Sequence, residues 1–182
     1  MKKVLMPLAP GFEEIEALAV ADILRRAGAE VIIAGTIKGA IEGRSRIKIL
    51  ADVELDAVVN DAFDMIVLPG GAEGTENLKK DERVRKIVHA LFEKGKFVTA
   101  ICAAPAVLSK TGITKYRTIT SHPSVRAELI AAKISDERVV VDGNLVTSQS
   151  PGPAIEFAFK LVELLYGPET TAEVNKGVLA RI

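Results

Sequence analysis

Short apolar runs alternate along the chain with stretches whose apolar residues recur at helical spacing. Val4 to Ala9 is the first such run and reads as a buried strand. Glu13 to Gly28 then reads as a helix that buries Ile15, Leu18, Ile23 and Ala27 on one stripe. Acidic residues fill its first turn, Arg25 and Arg26 its last, and Gly28 ends it. Glu30 to Thr36 predicts a second strand, after which Gly39, Gly43 and the charged run from Glu42 to Lys48 predict a hairpin rather than a helix. Phe63 to Leu68 is a further strand that ends at Pro69-Gly70-Gly71. Asp81 to Lys94 is a helix leading through Gly95 into another strand from Phe97.

The second half continues the alternation. Tyr116 to Thr120 predicts a short strand ending at Ser121-His122-Pro123, and the residues near Val125 to Ala132 a helix. Arg138 to Ser148 reads as two strands around the turn-forming Asp142-Gly143-Asn144. The helix from Ala154 to Tyr166 buries Ile155, Ala158, Phe159, Leu161, Val162 and Leu165, and Gly167-Pro168 terminates it. Strands and helices in this order predict a parallel sheet covered by helices on both faces, an α/β sandwich. No linker, repeat or low-complexity tract divides the chain, so one domain is expected over residues 1–182.

Composition narrows the function. Lysine plus arginine equals aspartate plus glutamate at 24 each, so no net field draws the chain to nucleic acid or to an anionic membrane. Met1 to Pro7 resembles a signal peptide only briefly, because Pro7, Pro10 and the acidic residues beyond break the run. No apolar stretch is long enough to span a bilayer without charges. One cysteine forms no internal disulfide, and the chain reads as a soluble cytoplasmic protein.

That cysteine, Cys102, follows Phe97 to Ile101 where a strand turns into a helix. A thiol at such a junction sits off the carboxyl end of the sheet, facing free helix amides that favour thiolate. The competing reading is a small buried core thiol. In open α/β sheets the ligand site lies beyond the carboxyl ends of the strands, which brings in Gly11 to Glu16, Gly70-Gly71 and His122. Glu13 and Glu14 are expected at the solvated helix start, whereas Glu16 is spaced to turn towards the strand ends. Spacing leaves two roles open for Glu16: a carboxyl removed from water that exchanges a proton with the thiol, or a solvated acid favoured by the helix dipole. His122 is a candidate base or a structural histidine near a turn, and His89 lies on a polar helix row. Gly70 and Gly71 offer free amides for an oxyanion, although a Pro-Gly-Gly turn alone is a weak signal. No phosphate-binding fingerprint or metal-ligand spacing is present, so no cofactor is inferred.

Taken together, Gly11-Phe12-Glu13-Glu14-Ile15-Glu16, Arg25 to Gly28, Val67 to Gly71, Ala100-Ile101-Cys102-Ala103-Ala104-Pro105, Thr120 to Pro123 and Thr147-Ser148 leading to Pro151-Gly152 resemble the DJ-1/PfpI superfamily, in its DJ-1 branch. The resemblance implies a flavodoxin-like three-layer sandwich with Cys102 on a nucleophile elbow. It also implies Glu16 as the acid bonded to the cysteine, His122 nearby, and the amides of Gly71 and Ala103 at an oxyanion pocket. A homodimer is implied, with Arg26 and Arg46 near interface and pocket. The peptidase-like branch places a histidine directly after the cysteine, where this chain has Ala103, and that weighs against proteolysis. The implied activity is a glutathione-independent conversion of methylglyoxal or glyoxal and their early glycation adducts. A redox-responsive chaperone using oxidation of Cys102 is the first alternative, and a PfpI-type cysteine peptidase formed by oligomerisation the second.

Overall fold

The computed structural model describes residues 1–181; Ile182, the last residue of the expected domain, lies outside the described residues. In chain order the strands are β1 (Lys3–Leu8), β2 (Glu30–Gly35), β3 (Ala40–Glu42), β4 (Lys48–Leu50), β5 (Val53–Glu54), β6 (Met65–Leu68), β7 (Phe97–Ile101), β8 (Thr118–Ile119), β9 (Lys133–Ile134), β10 (Val139–Asp142) and β11 (Leu145–Ser148). The helices are α1 (Glu14–Arg26), α2 (Ala72–Lys80), α3 (Glu82–Glu93), α4 (Pro105–Lys110), α5 (Ala154–Tyr166) and α6 (Pro168–Val178). Among the described residues, seven strands form the central sheet in the order β10-β11-β7-β6-β1-β2-β5, parallel except where β10 meets β11. This is a flavodoxin-like α/β sandwich with a mostly parallel sheet.

Strand alternation explains the two cores. Val4, Met6 and Leu8 of β1 pack with α1 and α5 on one side of the sheet. Leu5, together with Ile66 and Leu68 of β6 and Val98 and Ala100 of β7, packs against α3 and α4 on the other. Because successive side chains leave a strand on opposite faces, a sheet covered twice needs nearly continuous apolar strands. Met65 to Leu68 meets that demand, with all four residues buried.

Several expectations need correction. Ile15 and Leu18 do not lie on the buried stripe of α1: they are 55% and 40% exposed, and the inward face is formed by Ala17, Val20, Ala21, Ile23 and Leu24. Ile155 is likewise exposed on α5, although the rest of that helix buries as its periodicity predicts. Val125 to Ala132 is not a helix. Pro123–Glu128 makes 3-10 turns, after which the chain extends into β9. β8 pairs with β9 in a separate small ladder rather than joining the central sheet. The hairpin after β2 is present as β3 and β4. Gly167, at φ 89°, ends α5, but Pro168 then starts α6, because a proline at the first helical position forfeits no hydrogen bond.

Candidate functional site

β1 is hydrogen-bonded to β2 on one side and β6 on the other, so the connection after β1 and the one after β6 diverge and open a crevice beyond their carboxyl ends. Two backbone bonds knit its walls together. The Glu13 amide donates to the Gly70 carbonyl at 3.0 Å, and the Gly74 amide donates to the Gly11 carbonyl at 3.1 Å. Gly71, at φ 92°, leaves no room for a side chain, since a Cβ there would press on the Gly11 carbonyl and on the backbone of Phe12 and Glu13. Its glycine is required both by conformation and by close approach.

Cys102 stands at the end of β7 with φ 65°, a left-handed backbone that a branched or bulky residue adopts at a cost. Its amide donates to the Ser148 carbonyl at 2.9 Å, and its carbonyl accepts the His122 amide at 2.8 Å. The left-handed turn presents the sulfur to a cleft of about 460 Å³ whose walls include Gly71, Ala103 and His122. The amides of Ala103 and Gly71 are directed at the sulfur.

Glu16 is fully buried beneath this elbow. Its amide donates to the capping Glu13 carboxylate, and its Oε2 accepts the Gly70 amide at 2.7 Å. Oε1 is buried too and has no hydrogen-bond partner among the described residues, while the Cys102 thiol lies close enough to the carboxyl for each to shift the other's titration. Burial pushes the Glu16 carboxyl up to about 7, against the opposing bonds from Cys102 and Gly70. Burial, together with the charge and hydrogen bond of an ionised Glu16, pushes the Cys102 thiol up to about 12, against the Ala103 and Gly71 amides. The expectation that helix amides alone favour thiolate is therefore corrected. With Glu16 ionised the thiol keeps its proton, and a proton on Glu16 removes two of the three influences that hold it there. The protonation of each group thus depends on that of the other.

The remaining predicted residues divide. Gly71 and Ala103 supply amides to the site, but the Gly70 amide is engaged by Glu16 and is not an oxyanion donor. His122 reaches the cleft, yet its Nδ1 is 2.7 Å from the Ser124 hydroxyl and accepts the Ser124 amide at 3.2 Å, so the ring also caps the turn that follows. Glu13 and Glu14 are buried rather than solvated: Glu14 accepts the Ser45 amide at 2.7 Å and holds the β3–β4 hairpin against the start of α1. His89 is exposed on α3, as its polar row predicts.

Neither Arg26, paired with Asp22 at 2.8 Å, nor Arg46 lines the cleft. Arg44, on the same hairpin, does, and its charge opposes the rise of the Glu16 carboxyl. Sequence reasoning passed over it, although the charged hairpin beyond the carboxyl end of β2 is where such a cation belongs. Glu76 and Glu128, also unforeseen, line the cleft as well.

The chain is similar to known proteins in sequence and in fold. The DJ-1/PfpI family profile matches residues 2–164. The chain is 42% identical over 181 residues to Protein dj-1beta of Drosophila melanogaster, covering 98% of this chain and 97% of that protein. The crystal structure of Drosophila melanogaster DJ-1beta superposes with a TM-score of 0.96 at 41% identity, covering 100% of this chain and 99% of that one. Two further relatives are each 36% identical: Glutathione-independent glyoxalase DJR-1.2 of Caenorhabditis elegans, covering 90% of this chain and 88% of that protein, and Deglycase PfpI of Pyrococcus furiosus, covering 90% and 99%.

Proposed function

Because the chain belongs to the DJ-1/PfpI family, in its DJ-1 branch, we propose that it is a cysteine-dependent, glutathione-independent glyoxalase/deglycase that removes methylglyoxal or glyoxal and their early glycation adducts. One observation carries this reading: Cys102 is held in a left-handed turn between two amides, with a buried, proton-exchanging Glu16 beside it. Relatives named as a glyoxalase and a deglycase support the same class of chemistry.

The reaction starts when Glu16 carboxylate takes the Cys102 proton and the sulfur adds to the aldehyde carbon of methylglyoxal. The new oxyanion rests on the Gly71 and Ala103 amides. Glu16 returns its proton to that oxygen and then, as a carboxylate, accepts the hydrogen of the former aldehyde carbon, leaving an enediol. Delivery of this proton to the neighbouring carbon reduces the ketone to an alcohol while the sulfur-bearing carbon becomes a thioester. Water then cleaves the thioester to lactate and frees the thiol. One carbon is oxidised as the other is reduced, so the sequence needs no external oxidant. His122, with Nδ1 tied to Ser124, offers its other ring nitrogen as a donor at the rim. On a carbinolamine adduct the sulfur displaces the amine: the C–S bond forms as the C–N bond breaks, the amine leaves with the proton that Glu16 took from Cys102, and the same hemithioacetal results.

We also propose a homodimer, supported by exposed Ile15, Leu18, Ile47 and Leu50 on α1 and the adjoining hairpin. The functional test is lactate formation from methylglyoxal by purified protein. Cys102→Ser is expected to abolish it, and turnover equal to wild type in that variant would overturn the reading. Protection of a client protein from aggregation, retained by Cys102→Ser alongside negligible wild-type turnover, would favour the chaperone instead.

A further inference from the structure

Beside the nucleophile cleft, Lys79 of α2 contacts Glu76 and reaches Glu128 at 3.3 Å. Glu76 and Glu128 line the Cys102 cleft. Glu128 and Lys79 also line an adjoining cleft of about 420 Å³, whose walls include Ala106, Ser109, Lys110 and Ile130. The two spaces thus share Glu128, which Lys79 holds in an ion pair.

The pair is built from movable parts. Both Lys79 and Glu128 retain solvent contact, and ion pairs of this kind are held weakly. Glu128 ends the 3-10 turns that begin beside His122, and the next residue is already extended. One wall of the second cleft is fixed by contrast: Ala106 and Ser109 are buried on α4, and the Ser109 hydroxyl accepts the Ile130 amide at 2.8 Å. Ala106, the Ile130 side chain and the methylene stems of the two lysines give it an apolar lining suited to a hydrocarbon or aryl arm.

We propose that the Lys79–Glu128 pair is a size gate, and that the cleft behind it receives the apolar arm of dicarbonyl substrates larger than methylglyoxal while their aldehyde carbon reaches Cys102. The inference rests on Cys102 as the nucleophile of the proposed reaction.

Two measurements separate the gate from the reaction. In the first, kcat/KM for phenylglyoxal relative to methylglyoxal is compared among wild type, Lys79→Met and Glu128→Gln. The ratio is expected to rise on the order of tenfold in both variants, mainly through KM for phenylglyoxal, with methylglyoxal turnover little changed in Lys79→Met. Adding Ile130→Trp to Glu128→Gln, to fill the second cleft, is expected to abolish the gain. In the second, the rates at which the Cys102 sulfur displaces iodide from iodoacetanilide and from iodoacetamide are compared in the same proteins, a readout that needs no turnover. The same rise in the larger-to-smaller ratio is expected. If neither dicarbonyl is consumed but the alkylation ratio rises, the gate stands and the glyoxalase reading falls. An alkylation ratio unchanged in both opening variants overturns the gate.

Discussion

Oε2 of Glu16 accepts the Gly70 amide at 2.7 Å, and this bond leaves Oε1 as the buried oxygen without a hydrogen-bond partner. The loop after β6 thereby orients an acid on α1 against a thiol at the end of β7. Replacing Glu16 by Gln keeps the shape and removes both the charge and the exchangeable proton. Turnover of methylglyoxal is expected to fall about 10²-fold or more in kcat, the usual range for loss of a positioned acid–base group. The thiol is expected to titrate at lower pH in this variant than in wild type, since the ionised carboxylate is one reason it stands near 12. The ultraviolet absorbance of thiolate reads this directly, because the chain has one cysteine.

Stability should depend on pH through the same carboxyl. Glu16 binds its proton up to about 7 when folded and only up to its ordinary 4.5 when unfolded. Between these values the folded chain holds a proton that the unfolded chain has lost. The stabilisation is complete below 4.5 and lost as pH rises through about 7, a change on the order of 3 kcal/mol. Urea unfolding of wild type and Glu16→Gln across this window checks it: the variant should show a flatter profile and a relative gain at alkaline pH.

Gly70→Ala should disturb fold and site together. A Cβ at this position would lie 2.6 Å from Oε2 of Glu16, 2.8 Å from Cβ of Cys102 and 2.9 Å from the Ile101 carbonyl, and the backbone among these neighbours has nowhere to retreat. The expected loss is about 1–3 kcal/mol, as for overpacking elsewhere in protein interiors. The denaturation midpoint should fall and Cys102 alkylation should slow.

Association of two copies is tested at the exposed apolar residues of α1 and the hairpin. Ile15→Glu combined with Leu50→Glu places charge at two exposed apolar positions, and neither side chain contributes to the core. Sedimentation velocity is expected to show a dimer for wild type and a monomer for the double variant, with circular dichroism unchanged.

Much of this architecture was legible in the residue order. The apolar runs at Val4, Glu30, Phe63 and Phe97 give four adjacent strands of the sheet, and Cys102 is found at the strand-to-helix junction that its neighbours predict. The α1 stripe was misread for a physical reason. Glu14 and Glu16 turn inward to meet partners remote in sequence, Ser45 and Gly70, while Ile15 and Leu18 turn outward. Helical periodicity alone assigns apolar residues to the core and acids to water, and so inverts this stretch. The turn at Pro123–Glu128 escaped prediction because it is fixed by contacts such as the Ser124 amide on His122, rather than by an apolar stripe. No spacing rule could have shown that the Gly70 amide is occupied and the Gly71 amide available.

The backbone at Cys102 is tethered on both sides, to Ser148 of β11 and to His122 ahead of the next turn. Arg44 and Glu128, by contrast, belong to a hairpin and to a short turn at the periphery of the cleft. Selectivity can therefore be re-engineered at the periphery as a problem separate from reactivity: the warhead is bolted to the frame, and only the doorway needs to be recut.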